Sequence, residues 1–221
     1  MKKGRSNFVV TLEKRRWLSQ DTYEVTFNKP EDFFFRSGQH VIFHMGGEER
    51  DYTMVSPEND SCLVFLVKEM KGGVVSKQLA EIPIGTELKM TGPGGYLVER
   101  PTQKQRVLVA TGTGIAPFCS MIASGMNAAF LLYGVRNQES LHYNSLFEGT
   151  TLHYIKCLSA QPCMKNSSTC YDGHVTGFIK DILPVGQYEF YLCGKWDMIK
   201  DVTHVIDTRF PDANIYSEGF Y

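Results

Sequence analysis

Arg106-Val107-Leu108-Val109-Ala110-Thr111-Gly112-Thr113-Gly114-Ile115-Ala116-Pro117 is where the character of the chain changes. Val107 to Ala110 is a continuous apolar run, the pattern of a strand buried on both faces in a parallel sheet. It leads into Gly112-x-Gly114-x-x-Pro117, two glycines that let another group approach the backbone and a proline suited to a first helical turn. Strand, glycine turn and helix in that order make the close-approach loop expected for a dinucleotide phosphate. Pro117 stands where the usual fingerprint has its third glycine, so the loop alone is weak evidence.

Downstream, apolar runs and helical patterns alternate. Strands are expected at Val107–Ala110, Ala128–Tyr133, Leu152–Cys157, Tyr188–Cys193 and Asn214–Tyr216, and helices at Phe118–Ser124, Glu139–Phe147, Val175–Ile182 and Trp196–Thr208. Such alternation implies right-handed crossovers and a Rossmann-like parallel α/β sheet, with ligands beyond the carboxyl ends of its strands. Two motifs fall at such ends. Gly134-Val135-Arg136 offers a guanidinium where ribose or an extra phosphate could lie, and Cys193-Gly194 brings a thiol to the same crevice. Arg136 also reads as plain surface charge, and Cys193 as a small apolar filler.

Upstream the pattern is different. Short alternating segments at Phe8–Leu12, Tyr23–Asn28, His40–His44, Arg50–Met54, Leu63–Val67 and Glu87–Thr91 are separated by glycine, proline, asparagine and aspartate turns, which predicts an antiparallel Greek-key β-barrel. The polar stretch Pro101-Thr102-Gln103-Lys104-Gln105 is the expected boundary between a domain of residues 1–101 and one of residues 102–221.

Three barrel motifs carry chemistry. In Arg50-Asp51-Tyr52-Thr53-Met54-Val55-Ser56, strand alternation turns Arg50 and Tyr52 the same way and leaves Thr53 at the strand's end. A guanidinium, a flat phenol and a hydroxyl so gathered suit a flavin nucleotide, by phosphate pairing, ring stacking and hydrogen bonding. Gly72-Gly73-Val74-Val75-Ser76 enters a short helix whose apolar Val75, Leu79 and Ile82 recur at helical spacing. Its first turn offers unpaired N–H groups to a pyrophosphate. Thr91-Gly92-Pro93-Gly94-Gly95-Tyr96 is a tight turn that also reads as a simple hairpin.

Bulk properties exclude several classes. The 221 residues carry a net charge of −1, with 43% hydrophobic and 21% charged residues, so the chain is globular and gives no electrostatic case for nucleic acid. Lys2, Lys3 and Arg5, and Lys14-Arg15-Arg16, are candidate docking patches for an acidic partner, though solvated charge explains them more simply. Met1-Lys2-Lys3-Gly4-Arg5 is not followed by an apolar run, and Ala128 to Val135 is too short to cross a bilayer, so no membrane span and a cytoplasmic location are expected. Cys62, Cys119, Cys157, Cys163, Cys170 and Cys193 contain no C-x-x-C. No metal is expected, since Cys157, Cys163 and Cys170 would need a distant fourth ligand.

The ordered motifs R-x-Y-T-x-x-S, G-G-x-x-S-x-x-L, G-P-G-G, G-T-G-I-A-P, G-V-R-x-x-x-x-L-x-Y and Y-L-C-G-x-x-x-M span nearly the whole chain. Together they resemble the ferredoxin-NADP reductase superfamily. The resemblance implies a flavin-binding barrel followed by a pyridine-nucleotide domain, with a hydride passing from NAD(P)H to FAD and electrons leaving to a separate ferredoxin, flavodoxin or other redox partner. A free-flavin reductase and a nucleotide-binding redox-sensing subunit without turnover are the alternatives. The resemblance assigns Arg50 to the flavin phosphates, Tyr52 to isoalloxazine stacking, and Thr53 to the ring's N5 edge. Ser56 belongs to the same motif, and Gly73, Val75 and Ser76 fall at the pyrophosphate. Thr111, Gly112, Thr113, Gly114 and Pro117 match the nucleotide loop, Arg136 and Tyr143 the adenosine end, and Cys193, Gly194 and Met198 the nicotinamide side. Thr53, Cys193 and Glu218 are expected to line the transfer site, and a movable terminal aromatic, Phe220 or Tyr221, to cover the flavin. The short loop after Ser56 keeps FMN open, but Gly72-Gly73 before a helix favours FAD. After Ser159, where NADP-dependent members often carry arginine, stands Ala160-Gln161, so the choice between NADH and NADPH is open.

Overall fold

A computed structural model of the chain describes residues 6–150, 152–165 and 167–220. The chain divides into two compact units, one running to Glu99 and including Ala116–Ser124, the other made of Arg100–Ile115 and the residues from Gly125 onward.

In the first unit β1 (Ser6–Trp17), β2 (Thr22–Asn28), β3 (His40–Met45), β4 (Glu48–Thr53), β5 (Cys62–Lys68) and β6 (Glu87–Gly94) form an antiparallel sheet in the order β4-β3-β6-β1-β2-β5. The first half of β1 pairs with β6 and the second half with β2, with a register shift between Leu12 and Lys14. The extra residue bends the strand, which lets the sheet curl. A bridge between Met54 and Phe65, with Val55 N donating to Val64 O at 2.7 Å, ties the end of β4 to β5 and closes the barrel. Alternation sends Val10 and Leu12, Tyr23, Val25 and Phe27, and Val41 and Phe43 inward. Phe27, Phe43 and Phe65 meet there with centroids 5.1–6.0 Å apart, each contributing about 2–3 kcal/mol by burial.

Helix α1 (Val74–Glu81) packs on β3 and β4 through Val75 and Leu79. Its carboxyl end explains one of the three cations of the second basic cluster. Arg15 Nε donates to Leu79 O at 2.9 Å and its NH2 group to Ile82 O, so this cation satisfies orphan carbonyls of the last helical turn. Arg16 pairs with Glu24 at 2.6 Å. Arg15→Ala is therefore expected to destabilise the fold by about 1–2 kcal/mol, lowering the melting temperature by a few degrees. An unchanged melt would mean that Arg15 is only solvated charge. The other cluster, Lys2, Lys3 and Arg5, lies outside the described residues.

The second unit holds a parallel sheet of β7 (Gln105–Thr111), β8 (Phe130–Val135), β9 (His153–Leu158), β10 (Cys170–Asp172), β11 (Tyr188–Lys195) and β12 (Asn214–Phe220), in the order β10-β9-β8-β7-β11-β12. Val107, Val109, Leu132, Phe190 and Leu192 pack against α4 (Val175–Asp181) and α5 (Trp196–Arg209) through Phe178, Ile179, Ile199, Val202 and Ile206. The sheet order reverses between β7 and β11, and this is the switch point where such sheets open a crevice. Helix α2 (Ala116–Ala123), which follows β7, groups with the first unit. Among the described residues no helix is long and apolar enough to cross a membrane.

Four local expectations change. The helix expected over Glu139–Phe147 is a 3-10 turn at Gln138–Ser140 and a separate α3 (Asn144–Glu148), because Tyr143 between them sits at φ 62°. An α-helix cannot pass through a left-handed residue, and the Asn137 side chain fixes the turn by accepting from Ser140 N at 3.2 Å and Ser140 Oγ at 2.8 Å. Strand β10, at three residues, is too short to leave a periodic signal. Strand β12 continues four residues beyond Tyr216, so the described part of the expected movable tail is ladder, with Glu218 beside Cys193 and Phe220 beside Lys195. Tyr221 lies outside the described residues. Finally, Cys163 and Cys170 form a disulfide, Cα to Cα 5.8 Å, while Cys157 is buried in the core.

Candidate active site

In the first unit the site is built on β4 and the entry to α1. Arg50 is exposed and held by Glu48 Oε2 at 2.7 Å and its neighbour's carbonyl. Tyr52 rests one side of its ring on the barrel core, 5.8 Å from Phe43, and burial pushes its hydroxyl up to about 12 against the lowering effect of Arg50. It is thus a neutral phenol at any physiological pH. Thr53 is 4% exposed, and its Oγ1 is buried with no hydrogen-bond partner. A buried hydroxyl without a partner costs about 1–3 kcal/mol, which marks the position as one awaiting a polar group. Ser56 is used otherwise: its Oγ accepts from Val64 N at 3.1 Å, a contact of the barrel's closing seam, and its carbonyl accepts from Ser120 Oγ of α2 at 2.7 Å.

At the entry to α1, Gly72 has φ 83° and Gly73 N donates to Met70 O at 2.8 Å, forming the turn that starts the helix at Val74. Val75 is core-facing, and Ser76 Oγ accepts from Met70 N at 3.2 Å. The backbone N–H groups of this first turn have no intrahelical acceptors. Tyr23, which sequence reading passed over as an ordinary strand residue, donates its hydroxyl to Ser76 O from the barrel interior. This bond ties the helix entry to β2. Also missed was His40, the register partner of Thr53 and of Gly94. The first is revealed by a contact between helix and barrel, the second by pairing across the sheet.

In the second unit the glycine loop and the end of β11 interlock. A Cβ at Gly114 would lie 2.6 Å from the Cys193 carbonyl carbon and 2.8 Å from Gly194 N, and one at Gly194, φ 147°, would meet Thr111 Oγ1. Thr111 Oγ1 itself accepts from Lys195 N at 3.3 Å. Gly112, at φ 54°, has open space on its Cβ side, so a ligand can come against the backbone there. Tyr133, another residue without a sequence signal, braces the loop by donating to Gly112 O at 3.1 Å. Thr111, Gly112, Gly114, Cys193 and Gly194 are thereby gathered at the switch point, with Thr113 in the same turn and Glu218 adjacent through β12. Arg136 is exposed just past β8, and Tyr143 stands at the start of α3. Cys193 is fully buried, and burial first, then the Glu218 charge, raise its thiol well above its ordinary range. It stays protonated and is no nucleophile. Met198 packs on the hydrophobic core through α5, and Pro117 is buried in the first turn of α2.

A model of the oxidoreductase FAD-binding domain matches residues 9–98, and one of the oxidoreductase NAD-binding domain matches residues 108–204. The chain belongs to the ferredoxin-NADP reductase-like superfamily. Among reductases of this superfamily and their relatives, it is 27% identical to the toluate 1,2-dioxygenase electron transfer component of Pseudomonas putida, over 99% of this chain and 69% of that protein. It is 30% identical to the ferredoxin--NAD(P)(+) reductase component of the naphthalene 1,2-dioxygenase system of Pseudomonas putida, over 89% of this chain and 63% of that one. The chain thus spans about two thirds of the length of these curated relatives. In fold it matches a ferredoxin NADP+ reductase from Neisseria gonorrhoeae, solved with FAD and NADP, at a TM-score of 0.86 and 19% identity, covering 97% of this chain and 99% of that one.

FAD and a nicotinamide nucleotide are the cofactors of this reductase fold, and the residues present fit both. The orphaned Thr53 hydroxyl and the partly exposed Tyr52 ring suit a flavin, and the open backbone at Gly112 suits a dinucleotide phosphate.

Proposed function

We propose that the protein takes a hydride from NAD(P)H onto bound FAD and passes the electrons to a separate redox protein, a ferredoxin, a flavodoxin or the oxygenase component of a multi-part system. The observation that carries this reading is the pairing, in one chain, of an orphaned hydroxyl beside an aromatic strand with a glycine loop locked to the end of β11. FAD, when bound, accepts two electrons together and releases them one at a time, which joins a two-electron donor to one-electron acceptors. The chain's own part is positioning and exclusion of water. Arg50 neutralises phosphate charge, Tyr52 presents a rigid neutral ring, and Thr53 supplies a hydrogen bond from a dry position. Gly73, Val75 and Ser76 present the helix entry, with Val75 anchoring it to the core.

On the nucleotide side, Thr111 to Gly114 offer backbone to the pyrophosphate, and Arg136 and Tyr143 flank the adenosine end. Cys193 and Gly194 shape the nicotinamide side, with Glu218 beside them. Because the Cys193 thiol is held protonated, it acts as a packing wall and not as an acid or base. Residues 1–101 are read as the flavin domain and 102–221 as the nucleotide domain. A cytoplasmic location belongs to this reading: the free thiols of Cys62, Cys119, Cys157 and Cys193 accord with it, and it requires the Cys163–Cys170 disulfide to be a reducible bond and not a permanent staple.

The purified protein is expected to be yellow and to lose its visible flavin bands when NADH or NADPH is added without oxygen; the faster nucleotide identifies the donor. A colourless protein that reduces added flavin would assign free-flavin reduction instead. Retention of flavin with no bleaching by either nucleotide would refute turnover altogether.

A further inference from the structure

The Cys163–Cys170 disulfide lies outside every motif that the reductase reading uses, yet it closes the loop that leaves β9 immediately after Ser159-Ala160-Gln161. That segment is zipped to the end of β8. Ser159 N donates to Val135 O at 3.0 Å, Ala160 N to Arg136 O at 2.9 Å, and Gln138 N to Gln161 Oε1 at 2.9 Å. Gln138 opens the 3-10 turn that precedes Tyr143. The loop's other end enters β10, where Cys170 pairs with Lys156 and Asp172 with Leu158, and Asp172 Oδ1 accepts from Cys163 N at 2.5 Å. The sulfur bridge therefore pins both ends of a crossover whose near end touches Arg136 and the turn before Tyr143. Cys163 and Cys170 are half-buried in a loop whose Met164 is 73% exposed, whereas Cys119, Cys157 and Cys193 are fully buried. Cys163 and Cys170 are thus the joined pair at the surface, and the half-buried Cys62 is the one free thiol that is not fully buried.

We propose that Cys163 and Cys170 form a reducible disulfide, a modification site for dithiol reductants, whose state sets the affinity of the adenosine end for nucleotide. This rests on the reading of Arg136 and Tyr143 as adenosine contacts. In the reaction a thiolate of the reductant attacks one cysteine sulfur, the Cys163–Cys170 bond breaks, and the departing sulfur takes a proton. The reductant's second thiol then cleaves the mixed disulfide, leaving two cysteine thiols and an oxidised reductant, so two electrons have moved. The disulfide restricts the loop before any ligand arrives. Opening it adds ordering that binding must then supply, and nucleotide affinity is expected to fall about three- to tenfold.

The test uses Cys62→Ser protein in its flavin-loaded form, untreated or treated with dithiothreitol and capped with iodoacetamide, beside an additional Cys163→Ser/Cys170→Ser variant. Peptide mass analysis reads capping, and calorimetric titration with NAD+ and with NADP+ reads affinity. Capping of Cys163 and Cys170 only after dithiothreitol, with weakened binding in both the capped protein and the serine variant, supports the inference. Capping without dithiothreitol, or equal affinity in all forms, overturns it while leaving the reductase reading intact. Absence of any nucleotide binding to the untreated protein overturns both.

Discussion

Gly114→Ala will destabilise the second unit by about 3 kcal/mol and abolish nucleotide binding. The added Cβ meets the Cys193 carbonyl and Gly194 N, which are backbone atoms of β11, held between β7 and β12, and cannot swing aside as a side chain would. At this chain length a loss of that size lowers a melting transition by on the order of 10 °C. Gly112→Ala makes the informative contrast. Its Cβ meets nothing within 4 Å, and only the left-handed backbone at φ 54° resists it, a penalty of about 1 kcal/mol. Two alanines placed two residues apart should thus separate steric interlock from backbone strain. Differential scanning calorimetry gives the answer, and a Gly114→Ala protein that melts like the parent would remove the interlock from the account.

Thr53→Val is the second large effect, and it has opposite signs in two measurements. In protein stripped of flavin, valine replaces a buried hydroxyl that has no partner with a methyl group of the same shape, so stability should rise by about 1 kcal/mol. In flavin-loaded protein the same change removes a hydrogen bond at the ring, and anaerobic reduction by nicotinamide nucleotide should slow by about tenfold or more. A fall in stability of the stripped protein would show that Thr53 serves the barrel and not a ligand. Unchanged reduction kinetics would place the flavin ring elsewhere.

These two residues also show what was legible. Thr53 stands out in sequence because a short R-x-Y-T pattern ends a strand, and the structure adds that its hydroxyl is dry and unpaired. Gly114 stands out as one of a glycine pair, but its necessity comes from Cys193, 79 positions further along, whose carbonyl occupies the space a side chain would take. Arg15 shows the reverse case. It looks like one of three surface cations, and the fold spends it on the carboxyl end of α1. Ser56 likewise matches a cofactor motif while its hydroxyl holds the barrel's seam.

By itself the sequence determined the order of a barrel and a parallel sheet, because alternation with period two and unbroken apolar runs are properties of neighbouring residues. It also determined where the glycine turns fall, since backbone freedom is local. Tertiary structure alone decided how β1 bends between two partners, why Tyr143 breaks a helix, that Tyr23 braces the entry to α1 and Tyr133 the glycine loop, and that Cys163 meets Cys170. Each of these depends on contacts between segments far apart in the chain or on a single dihedral angle, and neither leaves a periodic trace for a linear reading to find.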